Sequence, residues 1–235
     1  MTRPIFALNP ERVWTLNSAL ERTEKLGDVK TVKRFRSDIE AGHKAVITLV
    51  EYLGQLHTTP VGVMPQTEKH ASAWKAAKAA AAVLRATEDK LTAEAKDLGA
   101  EVEAEAVAYW KSQLPSQAMQ ARIYEMAERY VGKGEIENLR SMMADPQVAA
   151  VIALSPRELI HPHFAPSVKE GLTNSFLAKF QPEIKAKADQ AAELLDLAKG
   201  HKDVWRTVIY GVSSEKAAEA HASRPADPVI EGAAA

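Results

Sequence analysis

The feature that most constrains the fold is a heptad-spaced run of apolar residues between residues 32 and 56. Two sets of uncharged residues recur every seven positions, the second set three positions after the first: Val32, Ile39, Val46 and Leu53, then Phe35, Gly42, Leu49 and Leu56. Alternating steps of three and four place all of them on one side of a helix. We therefore predict a long helix from about residue 28 to residue 57 that packs against a partner along its whole length.

A second region with the same spacing follows, and it predicts another long helix from about residue 67 to residue 113. Its core-facing positions are Trp74, Ala77, Ala81, Leu84, Leu91, Ala95, Leu98, Val102 and Tyr109. Glu88 and Glu105 interrupt these positions, and the spacing continues through Gly99, so we predict no break there. Two long helices joined by a short turn predict an antiparallel, coiled-coil-like hairpin.

The remainder of the chain predicts shorter helices separated by proline and glycine. Residues 10–27 predict a short amphipathic helix that ends at Gly27. Asp145 and Pro146 predict the start of a short, nearly all-apolar helix to Leu154, which we expect to be buried. Gly200 is expected to end a later helix, and residues 203–210 favour a further helix over a strand. The fold class is therefore all-α, a long helical hairpin followed by a cluster of shorter helices. The predicted domains are residues 1–115 with the hairpin, 116–222 with the short helices, and 223–235 as a flexible tail.

Composition excludes several classes of function. The formal net charge is -1, which argues against a general polyanion binder. The chain has no cysteine, so disulfides, thiolate catalysis and cysteine zinc sites are excluded. No stretch approaches the roughly 18 unbroken apolar residues of a membrane span. The first residues do not resemble a secretory signal, and we expect a cytoplasmic protein, or a virion protein if it belongs to a particle.

The turn between the two long helices is unusually apolar and holds the candidate protein-contact residues, Val61, Val63 and Met64. One interpretation is that this turn packs onto the body of the protein. The other is that it forms an exposed contact surface, because exposed apolar patches mark sites of protein interaction.

Two Glu-x-x-His pairs raise the possibility of a metal site. Glu40 and His43, and Glu158 and His161, each could share a helix face, and two such pairs with further glutamates build the di-iron site of helical bundles. Glu158 and His161 could also bind a single divalent ion with His163. Such pairs arise by chance in a chain of this composition, and Glu40 lies away from the heptad positions. We therefore predict no metal and no cofactor.

A basic start to the first long helix is the candidate nucleic-acid surface, formed by Lys30, Lys33, Arg34 and Arg36. These residues could contact phosphates. Acidic residues follow closely, so a solvated helix face is the favoured interpretation and nucleic-acid binding is not expected. The chain has neither a glycine-rich phosphate loop nor a Gly-x-Ser-x-Gly motif.

In its composition, the chain resembles helical structural proteins of bacteriophage particles and other assemblies. It shares with them the absence of cysteine, the abundance of alanine and the long paired helices. The resemblance implies a non-enzymatic structural or assembly protein, with other protein subunits and copies of itself as partners. A helical-bundle metalloenzyme and a nucleic-acid adaptor are the alternatives. The metalloenzyme hypothesis requires bound metal. The adaptor hypothesis requires salt-sensitive binding to nucleic acid.

Overall fold

The computed structural model describes residues 29–155 and 165–212, and within these ranges the chain forms seven α-helices and no strand. The helices are α1 (Val29–Thr58), α2 (Gln66–Ser112), α3 (Gln117–Gly132), α4 (Ile136–Met142), α5 (Pro146–Leu154), α6 (Pro166–Phe180) and α7 (Pro182–Val212). The predicted all-α class is confirmed. The predictions for residues 10–27, for the segment around His161 and for the tail after residue 222 lie outside the described residues.

The two long helices begin and end within a residue or two of their predicted limits, and α2 continues through Gly99 as expected. They pair antiparallel. Near the start of α1, the Asp38 carboxylate accepts from Lys90 Nζ at 2.6 Å. Just beyond the other end of α1, the Thr59 carbonyl accepts from Lys69 Nζ near the start of α2. The predicted hairpin is therefore present.

The heptad positions of both helices face the core. Every one from Phe35 to Leu56 in α1 is buried, whereas the side chain of Val32 lies outside the description. The predicted positions of α2 that are buried are Ala77, Ala81, Leu84, Leu91 and Ala95, and the others are half-buried. Small alanine side chains on α2 let the larger side chains of α1 pack closely against its backbone.

The chain divides into two compact units, residues 1–93 together with 194–235, and residues 94–193. Both divisions fall within a helix, α2 or α7, rather than at the loop near Pro115 where the sequence places a boundary. Proline marks where a helix ends, while a compact unit depends on which side chains pack together. The predicted limits at residues 115 and 222 stay predictions.

In the first unit, the end of α7 adds a third helix to the hairpin. Val204, Val208 and Val212 are buried in the same cluster as the core residues of α1 and α2. Two helices alone leave much of each apolar face in water. The third helix therefore supplies the additional burial that stabilises this unit.

The second unit is built around the short helix α5, which the sequence predicts to be buried. Its residues from Val148 to Ile152 are all at most 8% exposed. Asp145 caps the helix by accepting from Gln147 N at 2.8 Å, with Pro146 in the first turn, as predicted. Residues of α3, α4, α6 and the neighbouring parts of α2 and α7 surround it.

One prediction is wrong: Gly200 does not end a helix, and residues 182–212 form the single helix α7. Buried residues continue at helical spacing on both sides of the glycine, at Leu197, His201, Val204 and Val208. A glycine inside a helix costs about 1 kcal/mol relative to alanine. Burial of this face outweighs that cost, so the helix continues and the alternative of a strand is excluded.

Candidate protein-contact site

The hairpin tip, residues 60–65, exposes two of the three candidate contact residues. Val61 is 65% and Val63 is 75% exposed, the largest values among the large hydrophobic residues of the described chain. Met64 is half-buried and packs against the core of the first unit. The two interpretations of the turn thus apply to different residues, since Met64 anchors the turn and the valines face solvent. Their role in binding stays a prediction.

Backbone and hydroxyl hydrogen bonds fix the tip. Val63 N and Met64 N both donate to the carbonyl oxygen of Pro60, at 3.0 and 3.1 Å. At the end of α1, the Thr59 hydroxyl donates to the Gln55 carbonyl at 2.8 Å. The two bonds to Pro60 close the turn. The Thr59 hydroxyl adds a second donor to the Gln55 carbonyl, which also accepts from Thr59 N at 3.0 Å. The tip is therefore a structured turn.

Lys69 connects the two sides of the tip. Its side chain is only 3% exposed, and its ammonium group donates to the carbonyl oxygen of Thr59. A positive charge close to the last carbonyls of α1 also complements the negative end of the helix dipole. This contact holds the start of α2 against the end of α1 and so sets the direction in which Val61 and Val63 project.

An open groove lies on the hairpin, with a volume of about 550 Å³. Its lining comes from one flank of each long helix: Ala41, Lys44, Ala45, Thr48, Leu49 and Tyr52 of α1, and Ala76, Ala79, Ala80 and Val83 of α2. Lys44 is the only charged residue among them. The groove is therefore an apolar concavity bounded mainly by small side chains.

The groove and α7 lie on opposite flanks of α2. Within the first unit, Arg85 and Glu88 of α2 contact Trp205 of α7. At 3.6 residues per turn, Ala79 and Val83 project from the opposite side of the helix. The end of α7 thus covers one face of the hairpin, and the groove opens on the other.

The structure describes the side chains of only two of the four basic residues at the start of α1, Arg34 and Arg36. The Arg36 guanidinium binds the Glu40 carboxylate at 2.9 Å, and both side chains are more than half exposed. Arg34 is exposed, and the side chains of Lys30 and Lys33 lie outside the description. The ion pair at Arg36 reduces the positive charge that this surface presents, so the structure adds no support for a phosphate-binding patch.

The proposed metal ligands are not brought together among the described residues. Glu40 binds Arg36, and the second pair, Glu158 and His161, lies outside the description. No group of three or more potential metal ligands occurs within residues 29–155 and 165–212.

The structure explains why a charged residue interrupts the heptad positions of α2 at Glu88. The Trp205 indole Nε1 donates to Glu88 Oε2 at 2.6 Å, and Lys202 Nζ lies 3.9 Å from Oε1. The Glu88 side chain is only 16% exposed. The sequence places an acidic residue at a position where a buried apolar residue is expected. It does not identify the hydrogen-bond partner of that residue, which lies more than 100 residues away.

In the second unit, Glu105 has a corresponding explanation. Lys187 Nζ donates to both Glu105 and Glu101, at 2.6 Å each. The hydrogen bond from Lys187 holds the pKa of Glu101 below its ordinary value, and the two carboxylates raise the pKa of Lys187. Both acidic interruptions in the second long helix therefore bind residues of α7.

His201 is a buried titratable residue that the sequence does not single out. Its ring Nδ1 donates to the Leu197 carbonyl at 2.9 Å, and Nε2 has no hydrogen-bond partner among the described residues. Burial lowers the pKa of His201, whereas the Leu197 hydrogen bond and the Glu88 charge act in the opposite direction. Because burial disfavours the charged form, the ring is an uncharged part of the core.

The fold and the tip define an all-α protein whose helical hairpin presents a structured, exposed apolar turn. Comparison with known proteins identifies no matching protein-family model, no matching curated protein and no matching solved structure. Among the described helices, none combines the length and the apolar character required to cross a membrane.

Proposed function

We propose that this chain is a non-enzymatic structural protein that assembles with other protein subunits, including copies of itself, through the hairpin tip. The observation that supports this proposal is the exposure of Val61 and Val63 on a turn that hydrogen bonds and Lys69 hold in place. A component of a particle of the bacteriophage type is one setting in which such a protein acts.

The energetic argument rests on burial and preorganisation. Transfer of a valine side chain from water into an interface contributes about 1.5 kcal/mol or more, so two valines contribute about 3 kcal/mol. Ordering a flexible loop would oppose this gain. Because the turn already has a fixed conformation, little of the gain is lost on binding, which favours Val61 and Val63 as contact residues.

The two alternative functions lack a supporting observation among the described residues. A metalloenzyme of the di-iron type would need Glu40 as a ligand, but its carboxylate binds Arg36. A nucleic-acid adaptor would need a concentrated positive surface, and the same ion pair reduces it. The assembly role is the function that the geometry of the first unit favours.

The test combines Val61→Asp and Val63→Asp in the full-length chain. Met64 is left unchanged because its half-buried side chain contributes to folding. We expect wild-type protein to form a discrete oligomer by light scattering over about a hundredfold range of concentration, and the double variant to remain monomeric. Its helical content by circular dichroism should match that of wild type, since both valines are exposed.

Val168→Asp is the matched control, because Val168 is an exposed valine of the second unit. It should associate as wild type does. A wild-type protein that stays monomeric at every concentration, or a double tip variant that associates normally, would overturn the proposal.

A further inference from the structure

We propose that the hairpin tip of one copy of the chain occupies the apolar groove on the hairpin of a second copy. This inference rests on the proposed assembly function and names the surface that the tip binds. It joins the two apolar surfaces of the first unit, the protruding Val61 and Val63 and the concavity between α1 and α2.

The two surfaces are chemically complementary. Residues 60–65 contain no charged residue, and the groove contains one, Lys44. Both surfaces therefore remove apolar area from water when they meet, and neither requires burial of an unpaired charge in the contact itself. A volume of about 550 Å³ lies within the roughly 300–1,000 Å³ of typical binding pockets. Two valine side chains and the turn between them are of suitable size for such a groove.

The charges beside each surface are also complementary. Glu68 is exposed in the first turn of α2, directly after the tip, and Lys44 is exposed at the groove. In the proposed contact, Glu68 of one copy would pair with Lys44 of the other. Opposite charges at the rim of an interface favour this orientation and increase the rate of encounter.

The tip cannot enter the groove of its own chain. Tyr52 lines the groove and belongs to the same continuous helix that leads to the tip, since α1 runs without a break to Thr58. A helix holds residues along its axis at fixed separations of 1.5 Å per residue. The occupant must therefore come from a second copy, and the contact joins two different surfaces, as in a heterologous interface.

The test uses one variant of each surface. The tip variant carries Val61→Asp and Val63→Asp, and its groove is intact. The groove variant carries Ala79→Glu at an exposed position of the lining, and its tip is intact. Ala86→Glu, two turns further along α2 and outside the groove, is the matched control for the second variant.

We expect each variant alone to associate at least about tenfold more weakly than wild type, and an equimolar mixture to regain a complex with one copy of each. Only in the mixture does an intact tip meet an intact groove. Restoration of mass by light scattering, together with normal association of Ala86→Glu, supports the proposal. A mixture in which both variants stay monomeric overturns it, because an intact tip then fails to bind an intact groove.

Exchange of the rim charges provides a second measurement. Lys44→Glu and Glu68→Lys should each weaken association, and the double variant should recover it because the attractive pair is rebuilt in reverse. Additive weakening in the double variant would contradict the predicted orientation.

The outcomes separate this inference from the proposed function. If the tip variant is monomeric while Ala79→Glu associates as wild type does, the tip binds elsewhere, so the assembly role remains and the groove proposal fails. If wild-type protein is monomeric at every concentration, both proposals fail.

Discussion

Gly42 of α1 lies so close to Leu84 of α2 that a β-carbon added at residue 42 would be 3.1 Å from Leu84 Cδ2. The Leu84 side chain is fully buried, so surrounding atoms restrict its movement. A glycine inside a helix costs about 1 kcal/mol relative to alanine, and the sequence leaves two explanations for it: close approach of a partner backbone, or a tolerated weak position. The neighbour in the structure is a leucine side chain instead.

Two glycine-to-alanine substitutions in α1 should therefore differ in effect. A β-carbon added at Gly54 would meet no atom within 4 Å, so Gly54→Ala should raise the free energy of unfolding by about 1 kcal/mol, the gain in helix propensity. Gly42→Ala gives the same gain, but Leu84 must shift to admit the methyl group, and we expect a net effect near zero or below. Urea unfolding of both variants measures the difference. Equal stabilisation by the two substitutions would show that the close approach imposes no cost.

The long helices were accessible to sequence analysis because their information is local. Apolar residues from Phe35 to Leu56 recur every three or four positions, and this spacing directly predicts that one side of the helix is buried. The continuation of α7 through Gly200 could not be predicted in the same way. Whether a helix continues through a glycine depends on packing of the residues around it, and their partners lie far away in the chain.

The candidate contact site could likewise be predicted only in part. Val61 and Val63 stand out in sequence because they are apolar residues between two prolines, but their exposure depends on how Met64 and Lys69 hold the turn. The groove could not be predicted, because residues such as Ala79 are typical of any alanine-rich helix. Only the pairing of two helices converts their flanks into one concavity.

The hydrogen bond between Trp205 and Glu88 should contribute measurably to the stability of the first unit. Glu88→Ala removes a charged acceptor from a mostly buried indole donor and should lower the free energy of unfolding by about 1.5–3 kcal/mol. Trp205→Phe keeps most of the ring but removes the donor. In chemical unfolding, the double variant should lose less free energy of unfolding than the two single variants lose together. The difference, which is the coupling energy of the pair, should be about 1 kcal/mol.

Lys202→Ala is the control for this pair, since Lys202 lies 3.9 Å from the same carboxylate and is partly exposed. Its effect should stay below about 1 kcal/mol, as for other exposed ion pairs. Strict additivity of Glu88→Ala and Trp205→Phe would mean that the hydrogen bond does not stabilise the folded state.

Lys69 should control the order of the hairpin tip. Lys69→Met preserves most of the buried aliphatic length but leaves the Thr59 carbonyl without its side-chain donor, so the free energy of unfolding should fall by about 1–3 kcal/mol. Amide hydrogen exchange should accelerate at Val63 and Met64, whose N–H groups bond within the tip. Lys75→Met, at an exposed position in the same helix, should change neither quantity. Unchanged exchange at the tip in Lys69→Met would show that the other bonds suffice.

Acid should destabilise the first unit through His201. Its folded-state pKa lies below the ordinary value because burial disfavours the charged ring, so below the ordinary pKa the unfolded chain binds the proton more readily than the folded one. Stability is therefore full above the unfolded pKa of about 6.5 and falls as the pH decreases below it. Glu88 faces this region and limits the loss, since its negative charge raises the pKa.

His201→Leu should remove part of this pH dependence while keeping a buried apolar side chain at the position. We expect urea unfolding of wild type to show a larger decrease in the free energy of unfolding between about pH 7 and pH 5 than unfolding of the variant. His57→Gln is the control, because it removes an exposed histidine at the end of α1 and leaves the buried ring of His201 in place. The same slope in wild type and His201→Leu would mean that His201 takes up its proton equally in the folded and unfolded states. That result would contradict the effect of burial on a ring whose Nε2 has no partner among the described residues.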